Sequence, residues 1–273
     1  MKILAVVITY YPDVELLFQN VHAFKEHVDK VIVWENTPVE EAIQLRLPID
    51  EKILYFGNNK NVGISKGLNF AWHYAKDNGY DLLLTMDQDS QFKNFGTYKQ
   101  DVITRLSDGL AIFSPNVNNE LCMNNGHNLV QFPYIITSGM LIPISALDNI
   151  GGFRADFFVD AIDIALSVEA TEHKIPLYKV RSGQLVQQYG NARYRVIFGK
   201  KFYGVNYSLF RYESIYRNHI ILLRQYPHNN DLKKLVKRYY KSHIKGIIFV
   251  EQNKMAKIWA IIKGTYAGLL YKL

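Results

Sequence analysis

The stretch Thr85-Met86-Asp87-Gln88-Asp89-Ser90 closes the last of four apolar segments that predict the fold of this chain. It follows Leu82-Leu83-Leu84, a short apolar run that is typical of a strand buried on both faces. Side chains two residues apart on an extended chain point to the same side, so Asp87 and Asp89 are expected to lie together. Paired carboxylates suit a divalent cation such as Mg2+ or Mn2+. Because an Asp-x-Asp triplet is also common in polar loops, the surrounding chain must decide between the two interpretations.

Three further apolar segments precede this stretch and alternate with helical patterns. Strands are predicted at residues 3–9, 31–34 and 52–56, before the fourth at 82–86. Helical spacing of apolar residues predicts helices over 14–24 and 65–78. This alternation predicts an α/β fold with a mostly parallel sheet flanked by helices.

The rest of the chain is predicted to be mixed at first and then helical. A helix is expected over 98–106, strands at 111–114, 134–143, 176–180 and 184–188, and a helix after residue 161. Helices over 207–226, 232–250 and 255–270 carry much of the basic charge. We therefore predict an α/β catalytic domain over 1–204 and a basic, helical C-terminal extension over 205–273.

The composition of the chain indicates which binding partners and which cellular compartment to expect. The 273 residues carry a net charge of +7, which favours an anionic partner such as nucleic acid, an acidic membrane or a phosphorylated substrate. One cysteine excludes a disulfide framework, and no histidine spacing is typical of structural zinc. No signal peptide is evident, and no apolar run approaches the roughly 18 residues of a membrane span. We expect a cytoplasmic protein, possibly peripheral on the inner face of a membrane.

Polar residues follow each predicted strand of the first domain. If the strands are parallel neighbours, these residues converge at one edge of the sheet, where α/β folds bind ligands. The residues are Thr9, Tyr10, Glu35, Asn36, Asn61, Gly63, Asp87 and Asp89. Glu35 can accept hydrogen bonds from a base or ribose, and the two aspartates can contact ribose and hold a metal on a diphosphate. Each residue alone could simply end a strand or a turn, so the prediction rests on their convergence.

Four segments follow one another along the chain: Val6-Val7-Ile8-Thr9-Tyr10, Val31-Ile32-Val33-Trp34-Glu35-Asn36, residues 61–69 (Asn-Val-Gly-Ile-Ser-Lys-Gly-Leu-Asn) and residues 83–90 (Leu-Leu-Thr-Met-Asp-Gln-Asp-Ser). Together they resemble the nucleotide-sugar half of a family 2 glycosyltransferase with the GT-A fold, a Rossmann-like α/β architecture. The Asp-Gln-Asp-Ser form is most similar to the bacterial rhamnosyltransferase-like branch. Residues 137–142, 151–153, 157–163, 211–212 and 216–218 extend the resemblance over nearly the whole chain.

The resemblance implies inverting sugar transfer, in which an acceptor hydroxyl attacks the anomeric carbon opposite the nucleoside diphosphate. This reaction needs a general base and neutralisation of the departing diphosphate. Asp163 aligns with the base of the family, and Asp160 is the alternative base or an acceptor-binding group. Asp89 is the expected direct ligand of Mg2+ or Mn2+, with Asp87 on ribose or bound through water. The implied donor-binding residues are Thr9, Tyr10, Glu35, Asn36, Asn61, Gly63, Lys66, Asp87 and Gln88.

The resemblance also implies partners, and the sequence departs from the family pattern at three positions. The expected donor is dTDP-rhamnose or a UDP-sugar, and the expected acceptor is a glycan or lipid-linked acceptor in bacterial surface polysaccharide synthesis. Ala165 and Glu169 replace a common acidic residue and a common Arg. Gln187 stands where a His often assists the metal, so Gln187 or a basic residue such as Arg193 or Arg195 must complete that site.

Two alternative functions remain open at this point. A sugar nucleotidylyltransferase also has a nucleotide-binding α/β domain, but that class usually opens with a glycine-rich loop where this chain has Thr9-Tyr10-Tyr11-Pro12. A non-enzymatic basic module for membrane or nucleic acid would account for the charge. Apolar faces on the C-terminal helices indicate either core packing or peripheral contact with an anionic membrane. With a sugar donor as the anionic partner, we expect no nucleic acid.

Overall fold

The computed structural model describes residues 1–38, 40, 50–121, 126–187 and 193–273, which form two compact units. The first unit comprises Met1–Phe158 and Ile162–Gln188. The second comprises Val159–Ala161 and Tyr189–Leu273. Three residues from the middle of the chain therefore belong with its C-terminal part.

In its described residues, the first unit has a nine-stranded mixed sheet and five helices. Its strands are β1 (Ile3–Thr9), β2 (Lys30–Glu35), β3 (Ile53–Gly57), β4 (Leu82–Asp87), β5 (Ser90–Phe92), β6 (Ile112–Val117), β7 (Leu129–Gln131), β8 (Met140–Pro143) and β9 (Leu177–Gln187). Its helices are α1 (Val14–Lys25), α2 (Ile64–Asp77), α3 (Phe95–Leu106), α4 (Ile144–Ile150) and α5 (Ile162–Glu172).

Four neighbouring strands at the start of the sheet run parallel, in the order β3-β2-β1-β4. Beyond β4 come β8, β6, β9 and β5, with β8 antiparallel to β4 and β6 parallel to β9. The register places Thr9 opposite Glu35 and Ile8 opposite Asp87. The carboxyl ends of β1, β2 and β4 therefore share one edge, and the predicted α/β fold is confirmed.

The apolar pattern of the strands is explained by burial on both faces. All seven residues of β1 are buried, and so are the first five of β4. Helix α1 covers the sheet with Leu17, Val21 and Phe24. Its N-cap is Asp13, whose side chain accepts a hydrogen bond from the Leu16 amide. Each fully buried aliphatic or aromatic side chain of this kind contributes about 1.5–3 kcal/mol. These helices and strands are the frame that positions the polar strand ends.

Two predicted strand regions differ from the structure. The strand expected over 134–143 is shorter, Met140–Pro143, because Gly139 has a left-handed backbone (φ 77) that ends the extended segment. The two strands expected over 176–188 are one strand, β9, which passes through Gly183. A Cβ at Gly183 would lie 2.4 Å from Cδ2 of Tyr98, so the glycine lets α3 pack against an unbroken strand.

The described part of the second unit contains a hairpin and three helices. The hairpin is β10 (Arg193–Ile197) with β11 (Lys200–Gly204), and the helices are α6 (Leu209–Gln225), α7 (Asn230–Phe249) and α8 (Lys254–Leu270). The three helices confirm the predicted helical C-terminal part, whereas the hairpin was not predicted. Our predicted division after residue 204 differs from the division into compact units, since the hairpin packs on α7. The functional domain boundary stays a prediction.

The core of the second unit includes a buried ion pair. The Tyr212 hydroxyl lies 2.9 and 3.0 Å from the two carboxylate oxygens of Glu251, and Nζ of Lys257 lies 2.7 Å from Oε2 of Glu251. Helix α8 approaches α6 closely at Gly264, where a Cβ would lie 2.2 Å from the backbone oxygen of Glu213. No helix in the described part of the chain has the length and apolarity needed to cross a membrane.

Candidate active site

At the edge of the sheet, Asn36 joins the end of β2 to the turn before α2. Its backbone amide donates to the Thr9 carbonyl at 2.9 Å. Its side-chain Oδ1 accepts from the Val62 amide at 3.2 Å, and Nδ2 donates to the Gly63 carbonyl at 3.3 Å. Asn61 shapes the same turn, because its Oδ1 accepts from the Gly63 amide at 3.0 Å. Both asparagines were predicted to bind the donor, and here their side chains hold the turn.

Gly63 lets this turn contact the segment that leads to the predicted base. Its φ of 86 is left-handed, and a Cβ would lie 2.6 Å from the Phe158 carbonyl oxygen. The Ile64 amide donates to that carbonyl at 2.8 Å, and Ser65 Oγ donates to the Phe157 carbonyl at 2.7 Å. Lys66, on the first turn of α2, is exposed. The start of α2 is thus anchored to residues 157–158.

Gln88 links the ends of β4 and β1. Its Oε1 accepts from the Tyr10 amide at 2.7 Å, and its Nε2 donates to the Tyr10 carbonyl at 3.2 Å. Asn20 Nδ2 donates to the Gln88 carbonyl at 2.8 Å. Thr9 is buried and its Oγ1 donates to the Trp34 carbonyl, while the Tyr10 ring is half exposed. Gln88 therefore holds two strand ends together, and the Tyr10 ring faces solvent.

Asp87 is held in place by a residue from β9. Gln187 Nε2 donates to Asp87 Oδ2 at 2.8 Å, and the Asp87 amide donates to Ser138 Oγ at 3.3 Å. The other side-chain atom of Gln187, Oε1, is buried without a hydrogen-bond partner. An unsatisfied buried oxygen costs stability, so a ligand or cation at this point would relieve it. Sequence reasoning noted Gln187 as a departure and missed Ser138.

Asp89 does not continue the strand, and the extended geometry assumed for the triplet is wrong. Gln88 and Asp89 form a turn between β4 and β5, because Ser90 pairs with Gln187 of β9 and the chain must change direction to reach it. Asp89 remains in contact with solvent. Surrounding protein nevertheless displaces enough water from its carboxylate to raise the pKa of Asp89. A nearby cation would favour its charged form.

The donor atoms at this turn fit a divalent cation. Within the residues that the structure describes, no group of three His, Cys, Asp or Glu side chains comes together as a complete metal site. Asp87, Asp89 and the unpartnered Oε1 of Gln187 offer hard oxygen ligands of the kind that Mg2+ and Mn2+ prefer. Such ions usually take their remaining ligands from water and substrate phosphates. The predicted basic substitutes Arg193 and Arg195 lie in β10 of the second unit.

Asp163 lies in the first turn of α5, in the first unit. Its Oδ1 accepts from the Ile164 amide at 2.8 Å, and its carbonyl accepts from Ser167 Oγ at 2.8 Å. The side chain is half-buried, and a carboxylate is favoured at a helix N-terminus.

Glu35, buried at the end of β2, is 8% exposed. On the same helix as Asp163, Ala165 is buried within the core.

Asp160 lies in the second unit, where two side chains of α6 hold it. Arg211 donates to both carboxylate oxygens, from Nε at 3.2 Å and from Nη2 at 2.5 Å. Asn218 Nδ2 donates to the carbonyls of Val159 and Asp160, both at 3.0 Å. These contacts fix left-handed backbone at Asp160 (φ 64) and Ala161 (φ 59). The Asp160 carboxylate is thus paired with Arg211 within the second unit, and its role as the alternative base stays a prediction.

Comparisons with known proteins agree with this architecture. No protein-family model matches the chain. It is 21% identical to the dTDP-rhamnosyl transferase RfbF of Shigella flexneri over 292 residues, covering 98% of this chain and 95% of RfbF. GalNAc-T7, solved with UDP, GalNAc and Mn2+, superposes with a TM-score of 0.63 at 10% identity. That match covers 82% of this chain and 48% of GalNAc-T7, so the chain spans about half the length of this relative.

A second solved structure covers nearly the whole chain. S. aureus TarS 1–349, in complex with UDP-GlcNAc, matches with a TM-score of 0.58 at 11% identity, over 97% of this chain and 82% of that one. The chain has the GT-A fold of glycosyltransferases. The resemblance drawn from the sequence is confirmed at this level. Within the first unit, the GT-A fold brings Thr9, Glu35 and Asp87 to one sheet edge, whereas Asp160 belongs to the second unit.

Proposed function

We propose that the protein is a metal-dependent, inverting glycosyltransferase that takes a sugar from a nucleoside-diphosphate sugar. The observation that carries the proposal is the oxygen-rich turn after β4, where Gln187 positions Asp87 and leaves its own Oε1 unpartnered. This turn lies at the carboxyl end of a parallel strand in a GT-A fold, the edge at which α/β sheets bind ligands. The similarity to RfbF along the whole chain supports the same class of reaction.

The donor we propose is dTDP-rhamnose, with a UDP-sugar as the alternative. RfbF is named for dTDP-rhamnosyl transfer, and the TarS structure holds UDP-GlcNAc. Glu35 ends β2 opposite Thr9 and is our candidate for hydrogen bonds to the base or ribose. The exposed ring of Tyr10 offers a flat apolar surface beside it.

Asp89 and Asp87 would hold Mg2+ or Mn2+, and the ion would supply positive charge beside the diphosphate. Gln187 keeps Asp87 oriented through its Nε2 donor and presents Oε1 as a further ligand or acceptor. Asp163 takes the proton of the acceptor hydroxyl as that oxygen attacks the anomeric carbon, so the configuration at that carbon inverts. The acceptor we propose is a glycan or lipid-linked acceptor of a bacterial surface polysaccharide.

A thermal-shift screen of nucleotide sugars with Mg2+ or Mn2+ tests the class of reaction and the donor together. A ligand present at a hundredfold its Kd stabilises the folded protein by about 2.7 kcal/mol, which raises Tm by several degrees. We expect dTDP-rhamnose with Mn2+ to give the largest shift. Release of dTDP in the presence of an acceptor should accompany it.

Two matched variants show whether the metal-dependent thermal shift comes from the proposed site or from the loss of any carboxylate. Asp89→Asn should remove the metal-dependent part of the shift, while Asp77→Asn, at an exposed position at the end of α2, should keep it. The absence of any shift with every nucleotide sugar, together with no nucleotide release, would overturn the proposal.

A further inference from the structure

Helix α8 carries an exposed apolar stripe on its outer face. Six side chains recur along it at helical spacing, and each is at least 51% exposed: Met255, Trp259, Ile262, Tyr266, Leu269 and Leu270. Residues three and four apart lie on one face of a helix, so these six form one continuous strip. Scattered apolar residues on a surface are ordinary, whereas a continuous strip indicates a contact surface.

The opposite face of α8 is already used for packing. Gly264 and Gly268 bring it close to α6, where added Cβ atoms would lie 2.2 Å from the Glu213 oxygen and 2.7 Å from the Arg217 oxygen. Ala260 and Ile261 are buried in the same core. A helix that is apolar on opposite faces is suited to two apolar environments. The core of the second unit is one of them, and the outer stripe needs another.

The charge around the stripe is strongly positive. Residues 193–273 contain 17 Lys and Arg residues and three Asp and Glu, whereas residues 1–192 contain 15 basic and 22 acidic residues. The three acidic side chains are all engaged: Glu213 with Lys263, Asp231 with Lys234, and Glu251 with Lys257. The part of the chain that carries the apolar stripe is therefore complementary to an anionic surface.

The hairpin of the same unit repeats this combination of apolar and basic groups. Phe198, at the turn between β10 and β11, is 99% exposed, and Lys200 and Lys201 follow after Gly199. At the start of α8, Arg195 of the hairpin, Lys254 and Met255 line an open depression of the surface. Cations that border an exposed apolar group are typical of surfaces that contact lipid headgroups.

We propose that α8 docks on an anionic phospholipid bilayer, with its stripe in the interfacial region. Trp259 and Tyr266 lie at headgroup depth, and Lys254 and Arg195 pair with lipid phosphates. Two copies of this chain would bring like charges together, which disfavours self-association through the stripe. Nucleic acid does not offer an apolar environment for Ile262 or Leu269. The proposal does not depend on sugar transfer.

Intrinsic fluorescence can test the docking directly. Of the three tryptophans, Trp34 and Trp72 are buried and Trp259 is 66% exposed, so Trp259 reports on the stripe. With vesicles of phosphatidylcholine and phosphatidylglycerol, we expect co-sedimentation, a blue shift of the emission and quenching by brominated lipid. Vesicles of phosphatidylcholine alone, or high salt, should weaken binding. Trp259→Phe should remove the fluorescence change and keep the sedimentation.

Variants identify the surface responsible. Ile262→Gln should reduce vesicle partitioning about tenfold, because a half-exposed aliphatic side chain no longer enters the interface. Ile248→Gln, a matched change on α7 at a position 45% exposed, should leave partitioning unchanged. Equal loss in both variants, or no binding of the native protein to anionic vesicles, would refute the docking. Lipid-free dimerisation that blue-shifts Trp259 in analytical ultracentrifugation would instead assign the stripe to a second copy.

Discussion

Gln187 donates a hydrogen bond to Asp87 at 2.8 Å, although 100 positions separate the two residues in the chain. Each is the last residue of its strand, β9 for Gln187 and β4 for Asp87. The amide therefore fixes one carboxylate oxygen and leaves its own Oε1 buried and unpartnered. This pair defines how a cation could be held at the turn.

Gln187→His should strengthen metal-dependent nucleotide binding. A neutral imidazole nitrogen is a stronger electron-pair donor than an amide oxygen, and it is the commonest side-chain ligand of metals. We expect the Mn2+ concentration for half-maximal dTDP binding to fall about tenfold, a change of about 1.4 kcal/mol. Titration calorimetry of dTDP over a Mn2+ series measures it. Gln187→Leu is the control and should raise the same concentration; identical Mn2+ dependence in all three proteins would show that residue 187 is not part of the site.

Asp89→Asn and Asp87→Asn should have opposite effects on the stability of the metal-free protein. A carboxyl group with a raised pKa favours folding only while protonated, so its charge at neutral pH is unfavourable. Asp89→Asn should therefore raise Tm slightly and abolish the effect of Mn2+ on nucleotide binding. Asp87→Asn loses a charge-assisted hydrogen bond from Gln187 and should lower Tm.

The same raised pKa predicts a pH dependence. Protonation of Asp89 begins at a higher pH than for an ordinary aspartate, so Mn2+-dependent binding should weaken from that higher pH downwards. Calorimetry at several pH values, with Asp89→Asn as the reference, checks the direction. A lower Tm for Asp89→Asn than for the native protein would contradict the prediction that the charge of Asp89 is unfavourable.

Asp163→Asn should lower turnover by about 10²- to 10⁴-fold and leave nucleotide binding intact, since only the proton acceptor is lost. Glu172→Gln, at an exposed position at the end of the same helix, should keep full turnover. Asp160→Asn breaks the pair with Arg211. This variant should have a lower Tm than the native protein, while its kcat changes little. Initial rates and Tm measured on the same preparations separate these outcomes, and full activity of Asp163→Asn would exclude it as the base.

Asn218→Ala should destabilise the second unit. Asn218 is 1% exposed, and its removal leaves the Val159 and Asp160 carbonyls without their donor, at a cost of about 2 kcal/mol. Ala161→Gly should have the opposite sign and stabilise by up to about 1 kcal/mol, because glycine adopts a φ of 59 without strain. Urea unfolding of both variants provides the test, and a neutral Asn218→Ala would mean that water replaces its contacts.

The free energy of unfolding should fall as the solution is acidified through the range of two buried histidines. Burial lowers the pKa of His219 to about 3 and that of His243 to about 4, so both stay neutral in the folded protein. The unfolded chain binds protons below about pH 6.5, and stability is lost from there down to about pH 4. The slope reaches about 1.4 kcal/mol per pH unit for each histidine.

His219→Gln removes one of the two groups and should reduce this slope. His228→Gln, at an exposed position, should leave it unchanged. Urea unfolding between pH 7 and pH 4 compares the three proteins. A slope that is equal in native and His219→Gln protein would assign the acid sensitivity to other groups.

Local pattern was sufficient for the parallel strands of the first unit. The strands Ile3–Thr9 and Leu82–Asp87 are buried on both faces. Strands in that environment have continuous runs of apolar residues, which can be recognised in the sequence. The hairpin at 193–204 has no comparable apolar run in its sequence, because almost all of its side chains are exposed. Its strands are held by pairing with each other and by contact with α7 rather than by a buried apolar face.

The site was predictable only as a set of strand ends. Position along the strands indicated Thr9, Glu35 and Asp87, since parallel order brings those ends to one edge. The direction of individual side chains was not predictable, because it depends on distant partners. Asn36 is turned towards Val62 and Gly63, and Gln88 towards Tyr10. Asp160 and Asp163, three residues apart, belong to different units.

The contacts of α6 with Asp160 bear on the order in which the protein is made. Arg211 and Asn218 are translated 51 and 58 residues after Asp160. On the ribosome, the left-handed backbone at Asp160 and Ala161 emerges well before the side chains that hold it. Asp163 lies two residues after Ala161, at the start of α5. The nascent chain consequently cannot fix the backbone leading into the candidate base until α6 has been synthesised.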